Sequence, residues 1–150
     1  MCYALKGNYT RYKAIKAAQY VRLASLTNKL WTTAMVAQIQ RQKYFRWHDA
    51  GDVQDLDHLN KIFKVCRLTP ETRHWMPTRE AWVKDHLGSC PDNLIIRLSA
   101  PMVDQAAPDS WPHTSTVVTS GRTCPAPDQG NQCKDCRACW DKEVKNIAYG

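Results

Sequence analysis

"YFRWHDAGDVQDLDHLNKIFKVCRLTPETRHWM", residues 44–76, reads as a strand, a helix and a second strand in thirty-three positions. Residues 44–48 are short and aromatic-rich, the texture of a strand, and they run into the turn sequence Asp49-Ala50-Gly51-Asp52. Asp55 stands where a helix N-cap belongs. Leu56, Leu59, Ile62, Phe63 and Cys66 then recur along one side of the helix that follows. Thr69-Pro70 stops that helix, because proline lacks the amide that would continue the ladder. Residues 73–76 read as the second strand. Two short strands joined by a helical crossover predict a parallel pair.

The same alternation continues downstream. Pro77-Thr78-Arg79 leads into a short helix over residues 80–87, closed by Gly88. Residues 93–98, with Leu94, Ile95, Ile96 and Leu98, give the clearest buried strand, and 115–118 a fourth. Residues 100–113 hold three prolines and little periodicity, and read as a loop. Upstream, residues 10–26 and 29–42 read as helices, the second with Trp31, Met35 and Ile39 on one stripe. Four strands are too few for a closed eight-stranded barrel. The predicted fold is therefore α/β: a reduced, partial-barrel-like, mostly parallel sheet with flanking helices and a cysteine-rich metal-binding C-terminal segment. The expected organisation is one domain over 1–150, with a helical part (1–43), βα units (44–118) and a cluster-binding segment (119–150).

At 150 residues, 43% of them hydrophobic and six of them tryptophan, the chain has enough apolar surface for a core. No run of eighteen apolar residues occurs, so no membrane span is expected. The first ten residues lack the apolar stretch of a secretory signal, which predicts a cytoplasmic protein with reduced thiols. The net charge is +7. Much of it lies in the first half, at Lys6, Arg11, Lys13, Lys16, Arg22, Lys29, Arg41, Lys43 and Arg46. Such a charge suits a polyanion or an acidic protein. The basic residues are spread over two helices without a stacking platform, so no specific nucleic-acid binding is expected.

The seven cysteines are Cys2, Cys66, Cys90, Cys124, Cys133, Cys136 and Cys139, an odd number that excludes complete internal pairing. Cys66 reads as a core residue and Cys90, before Pro91, as a turn residue. Of the remaining five, four fall within "CPAPDQGNQCKDCRACW", residues 124–140. Clustered cysteines in a reducing compartment point to metal. Cys133, Cys136 and Cys139 form Cys-x-x-Cys-x-x-Cys, and three thiolates so close in sequence can reach three corners of one iron–sulfur cube. Cys124, followed by Pro125, supplies the fourth ligand in the manner of bacterial ferredoxins, with Gly130 and Asn131 making the reversal. Structural zinc is the alternative, although zinc usually takes two separate Cys-x-x-Cys pairs. Lys134, Arg137 and Lys142 would offset the negative charge of such a centre. Trp140 either shields the last cysteine or anchors packing.

A second constellation lies at the carboxyl ends of the strands, where parallel sheets collect their ligands. His48, Asp49 and Asp52 follow the first strand, Thr78 and Arg79 the second, and Ser99 the third. They would supply a base or metal ligand, a capping acid and an anion-binding arginine. Equally, Asp49 and Asp52 could shape the turn while His48 serves as a core polar group.

Taken together, CYALKGNY (2–9), YFRWHDAGD (44–52), RHWMPTRE (73–80), PDNLIIRLSA (91–100), STVV (115–118) and CPAPDQGNQCKDCRACWDKEVKN (124–146) resemble the gene-product-88 family of bacteriophage proteins. The resemblance implies a phage origin, a cluster-type tail at Cys124, Cys133, Cys136 and Cys139, and kinship to the radical S-adenosylmethionine barrel. Enzymes of that barrel use three cysteines near the first strand and leave one iron open. This chain begins Met1-Cys2, so that triplet is not expected here, and four C-terminal cysteines would close every iron site. Cys2 stands as an alternative for one of the four.

The resulting expectation is a phage protein holding one [4Fe-4S] cluster, active in electron transfer or redox-linked regulation in the cytoplasm of the infected host cell, with a redox or host protein partner. Two alternatives accompany it. One is a radical-S-adenosylmethionine-like enzyme with a small-molecule site at His48, Asp49 and Arg79. The other is a basic nucleic-acid or host-protein binder with a structural zinc.

Overall fold

The structure is a computed structural model and describes residues 8–150, so Cys2 lies outside the described residues. Among the described residues, five strands form one sheet: β1 (Tyr44–Arg46), β2 (Arg73–Thr78), β3 (Leu94–Val103), β4 (Thr114–Val117) and β5 (Asn146–Tyr149). Their order in space is their order in sequence, and every neighbouring pair is parallel. A doubly wound sheet reverses its strand order partway; this one never does. The chain winds in one direction into a curled half-barrel with flanking helices.

Among the described residues, four α-helices accompany the sheet: α1 (Asn8–Arg11), α2 (Lys13–Ser25), α3 (Trp31–Ile39) and α4 (Leu56–Leu68). Asp55 caps α4 as its sequence position requires, accepting from the His58 amide at 2.8 Å. The α4 stripe buries Leu59, Ile62, Phe63, Val65 and Cys66, whereas Leu56 at the first turn is exposed and His58 turns inward. α3 packs Ile39 fully, and Trp31 and Met35 partly, against the same core.

Strand periodicity divides the sheet residues between two faces. Register places Phe45, His74 and Leu94 in one row, Met76 and Ile96 in the next, and Thr78, Leu98 and Thr114 in the third. This is the helix face, and Met76, Leu94, Ile96 and Leu98 join α3 and α4 in the main core. The opposite face carries Tyr44, Arg46, Trp75, Ile95, Arg97, Ser99, Ser115, Ile147 and Tyr149. Trp75, Ile95 and Ile147 are buried there, separately from the main core. Two neighbouring residues, Cys139 and Trp140, touch Tyr149 on one edge strand and Tyr44 on the other, so this second face is the inside of the curl.

The crossovers differ from one another. α4 links β1 to β2, and a 3-10 helix (Ala81–Ser89) links β2 to β3. That helix passes through Gly88 to Ser89, with Cys90 extended after it, so Gly88 is not the left-handed cap that its sequence position suggests. β3 continues through a register shift to Val103, shortening the expected loop. Residues 118–145 make the last crossover, into a fifth strand that the sequence reading lacked.

Candidate functional site

The cysteine segment folds onto the inner face. It leaves β4 with the Val118 amide donating to Tyr149 at 2.7 Å, and the Thr123 and Cys124 amides both donate to the Ala148 carbonyl, at 2.9 and 3.0 Å. Cys124 is thereby fixed beside β5. A short 3-10 helix (Ala126–Gln129) follows, and the chain reverses at Gly130 and Asn131, both left-handed with φ of 70° and 60°. Glycine adopts that conformation without steric cost and asparagine tolerates it, so the pair makes a sharp bend inexpensive. Cys133 starts a turn that the Cys136 amide closes at 2.8 Å. A final 3-10 turn, Ala138–Trp140, carries Cys139.

Arg97 organises the far half of this segment. Its side chain projects from the middle of β3 and is completely buried. Nε donates to Cys139 O at 3.1 Å, and Nη2 donates to Ala138 O at 3.1 Å and Asp141 O at 2.9 Å. Nη1 donates to Val144 O at 2.8 Å, Lys145 O at 3.3 Å and Thr114 O at 3.5 Å. All these partners are backbone carbonyls. Among the described residues no carboxylate forms an ion pair with Arg97. Burial lowers its pKa, and Cys139, Tyr149 and Asp141 act in the opposite direction. A guanidinium keeps its proton even so, and a positive charge therefore sits beneath the cysteine turn.

Cys139 is the thiol nearest this charge in the segment's contacts. Cys139 Sγ lies 3.4 Å from the Tyr149 hydroxyl. Burial pushes the Cys139 thiol up; the Tyr149 hydrogen bond and the Arg97 charge oppose that rise, and Cys124 and Cys133 add to it. Cys124 also acts on Tyr149, whose pKa burial raises far above the ordinary tyrosine value. Of the four sequence-predicted ligands, Cys124 and Cys133 each act electrostatically on Cys139. Cys136 is half-buried on the turn begun by Cys133. All four are free thiols. No group of three or more His, Cys, Asp or Glu side chains among the described residues is arranged to hold a metal ion. In donor chemistry the residues nevertheless suit a thiolate-bound cluster: four free thiols on one crossover, whose Cys139 carbonyl is held by a buried cation.

Aromatic side chains seal the segment to the sheet. Trp140 donates from Nε1 to Phe45 O at 3.0 Å, and its ring meets Tyr44 and Trp75 edge-on at 5.5 and 5.4 Å. The Arg137 guanidinium stacks 4.9 Å from the Tyr44 ring while donating to the carbonyls of Lys134 and Cys136. Trp140 is therefore a packing anchor. Arg97, Tyr149 and Tyr44 were missed in the sequence as parts of this site. The arginine inside the apolar run Leu94-Ile95-Ile96-Arg97-Leu98 was the signal that could have revealed the first.

The residues expected at the carboxyl edge meet in part. Asp52 accepts from the Thr78 hydroxyl and the Arg79 amide, each at 2.7 Å, and from the Val53 amide at 2.8 Å. It ties the loop after β1 to the end of β2. Arg79 itself reaches the Pro101 carbonyl at 3.4 Å. Asp49 meets Arg46 at 3.6 Å and the Tyr9 hydroxyl. Ser99 lies within β3 and accepts from Ser115 at 3.3 Å, away from the edge loops. His48 takes a left-handed backbone, φ 54°, and its ring stands 5.5 Å from His58 with both nitrogens buried and unpartnered. Desolvation lowers its pKa to about 4.

Fold and site define an all-parallel half-barrel α/β protein whose inner face is closed by a cysteine-rich crossover. The chain belongs to the gene product 88 family of phage proteins, whose family model matches residues 1–142. No match is found among curated proteins or among solved structures. Among the described residues no helix is long and apolar enough to cross a membrane.

Proposed function

We propose that this protein binds one [4Fe-4S] cluster through Cys124, Cys133, Cys136 and Cys139 and serves electron transfer or redox-linked regulation in the infected host cell. The observation that carries this reading is the buried Arg97, which has no carboxylate partner among the described residues and lies directly beneath a turn bearing free thiols. A buried charge without a counter-ion is costly. Thiolates ligating a cluster would supply the missing negative charge.

When bound, the cluster supplies a one-electron redox couple. The chain's own residues do the rest. Arg97 orients residues 138–145, Tyr149 offers its hydroxyl to the Cys139 sulfur, and Trp140 against Tyr44 packs the segment onto β1. Hydrogen bonds to cluster sulfurs and a nearby positive charge both favour the reduced state. Four thiolate ligands leave no iron open to substrate, which favours a carrier or sensor over an enzyme.

Anaerobic purification followed by iron, sulfide and zinc analysis tests the reading. Brown protein with matching iron and sulfide supports it; colourless protein with one zinc per chain replaces it with a structural zinc site on the same thiols.

A further inference from the structure

The first 48 residues contain nine lysines and arginines and no aspartate or glutamate. The remaining residues hold twelve basic and fourteen acidic side chains, a net charge of −2. The excess positive charge of the whole chain therefore lies in its first 48 residues, and α2 carries three of those cations, Lys13, Lys16 and Arg22. α2, which lies in that region, buries none of its residues. Helices are normally held by an apolar face packed on something; in α2 only Ile15, Ala18, Gln19 and Ser25 are even half-buried, and the rest of the helix is exposed.

Its exposed residues are not simply charged. Tyr20 is 64% exposed, Val21 69% and Leu23 49%, and Lys13, Lys16, Ala17 and Ala24 are also exposed. Ala17, Tyr20, Val21 and Ala24 are spaced three and four apart, so they share one side of the helix. Lys13 and Lys16 flank that side. We infer that α2 is a docking helix for an acidic protein that presents an apolar groove edged by carboxylates.

Charge selects the partner's sign, and the apolar stripe selects its kind. A second copy of this chain is disfavoured, because two such faces would bring lysines against lysines. Nucleic acid would use the lysines but gives no return for burying Val21 or Ala24, since phosphate contacts dominate its affinity. A protein groove rewards both features, in the helix-in-groove mode of recognition. The inference does not depend on the cluster. If the cluster is present, the same helix is the docking element for its redox partner.

The test uses the full chain and a synthetic Glu- and Leu-rich amphipathic peptide as probe, read by fluorescence anisotropy at ~150 mM salt, where the Debye length is about 8 Å. A duplex DNA, vesicles of phosphatidylserine and phosphatidylcholine, and the peptide with Gln in place of Glu serve as comparisons. The peptide is expected to bind more tightly than any of the three. Lys13→Glu with Lys16→Glu, and separately Tyr20→Ser with Val21→Ser, should each weaken it by about tenfold or more. All four side chains are exposed, so circular dichroism and thermal midpoint should barely change. Tighter binding to DNA or vesicles than to the peptide would overturn the inference. So would unchanged peptide affinity in either double variant. Iron content is measured on the same samples, so loss of docking and absence of a cluster are separate results.

Discussion

The Nε of Arg97 donates to the backbone carbonyl of Cys139 at 3.1 Å, so the third strand holds the last cysteine of the tail by its main chain. Five further carbonyls, from Ala138, Asp141, Val144, Lys145 and Thr114, converge on the same guanidinium. A segment with little apolar content gains its order from one buried side chain.

Arg97→Leu should therefore destabilise the protein by about 3 kcal/mol or more, because several buried carbonyls lose their donor together. Arg97→Lys should rescue little of this, since an ammonium has three donors and no planar fork. Urea unfolding gives the magnitude. Hydrogen exchange should show residues 138–145 opening first, and equal loss of protection across the sheet would contradict the role assigned to Arg97.

Two buried histidines, His58 and His74, and the half-buried His48 make stability depend on pH. Desolvation holds His48 and His74 at about 4 and lowers His58 as well, each from an unfolded value of 6.5. Between those values the unfolded chain binds more protons than the folded one. Stability is then complete above pH ~6.5 and falls as pH drops towards 4, by on the order of 3 kcal/mol at most for each of His48 and His74. Denaturant midpoints at a series of pH values should decline over this window, and His74→Gln should flatten the decline. A midpoint unchanged between pH 7.5 and 4.5 would refute it.

Asp52 joins the β1 loop to β2 through Thr78 and the Arg79 amide. Asp52→Ala should cost about 2 kcal/mol, the loss of hydrogen bonds to a charged acceptor. Asp55→Ala, which removes only the cap of α4, should cost about 1 kcal/mol. Unfolding curves for the two variants should keep that order.

The main sheet was legible because its signals are local. Leu94, Ile95, Ile96 and Leu98 declare a doubly buried strand, and Asp55 with the α4 stripe declares the crossover. The fifth strand was not legible. Asn146, Ile147, Ala148 and Tyr149 make a weak four-residue pattern, and their pairing with β4 spans a crossover of almost thirty residues. The break at Tyr12, which separates α1 from α2 within one apparently continuous helix, left no local mark either. For the site, cysteine spacing pointed to the tail, where Cys124 and Cys133 act electrostatically on Cys139. The inner-face residues beneath them, Arg97 and Tyr149, belong to different strands, and only the sheet register brings them under the tail. Ser99 shows the converse: a residue placed at a strand end by a short estimate of β3 proves to lie inside a longer one.

The ligand assignment makes a separate claim about Cys66. It is wholly buried in the main core, and burial raises its thiol pKa strongly. Cys66→Ala should lower stability by about 1 kcal/mol, as a small core truncation does, and leave metal content unchanged. Cys133→Ser should do the reverse, removing metal with little effect on the sheet core. Metal analysis paired with unfolding curves separates the two.

The most direct test is the metal and acid-labile sulfide content of anaerobically purified protein, wild type and Cys139→Ser side by side. The account predicts about four iron and four sulfide per wild-type chain, the composition of a [4Fe-4S] cluster, with iron and colour lost in the variant. Stoichiometric zinc without sulfide, or iron retained in full when Cys139 is replaced, would contradict it.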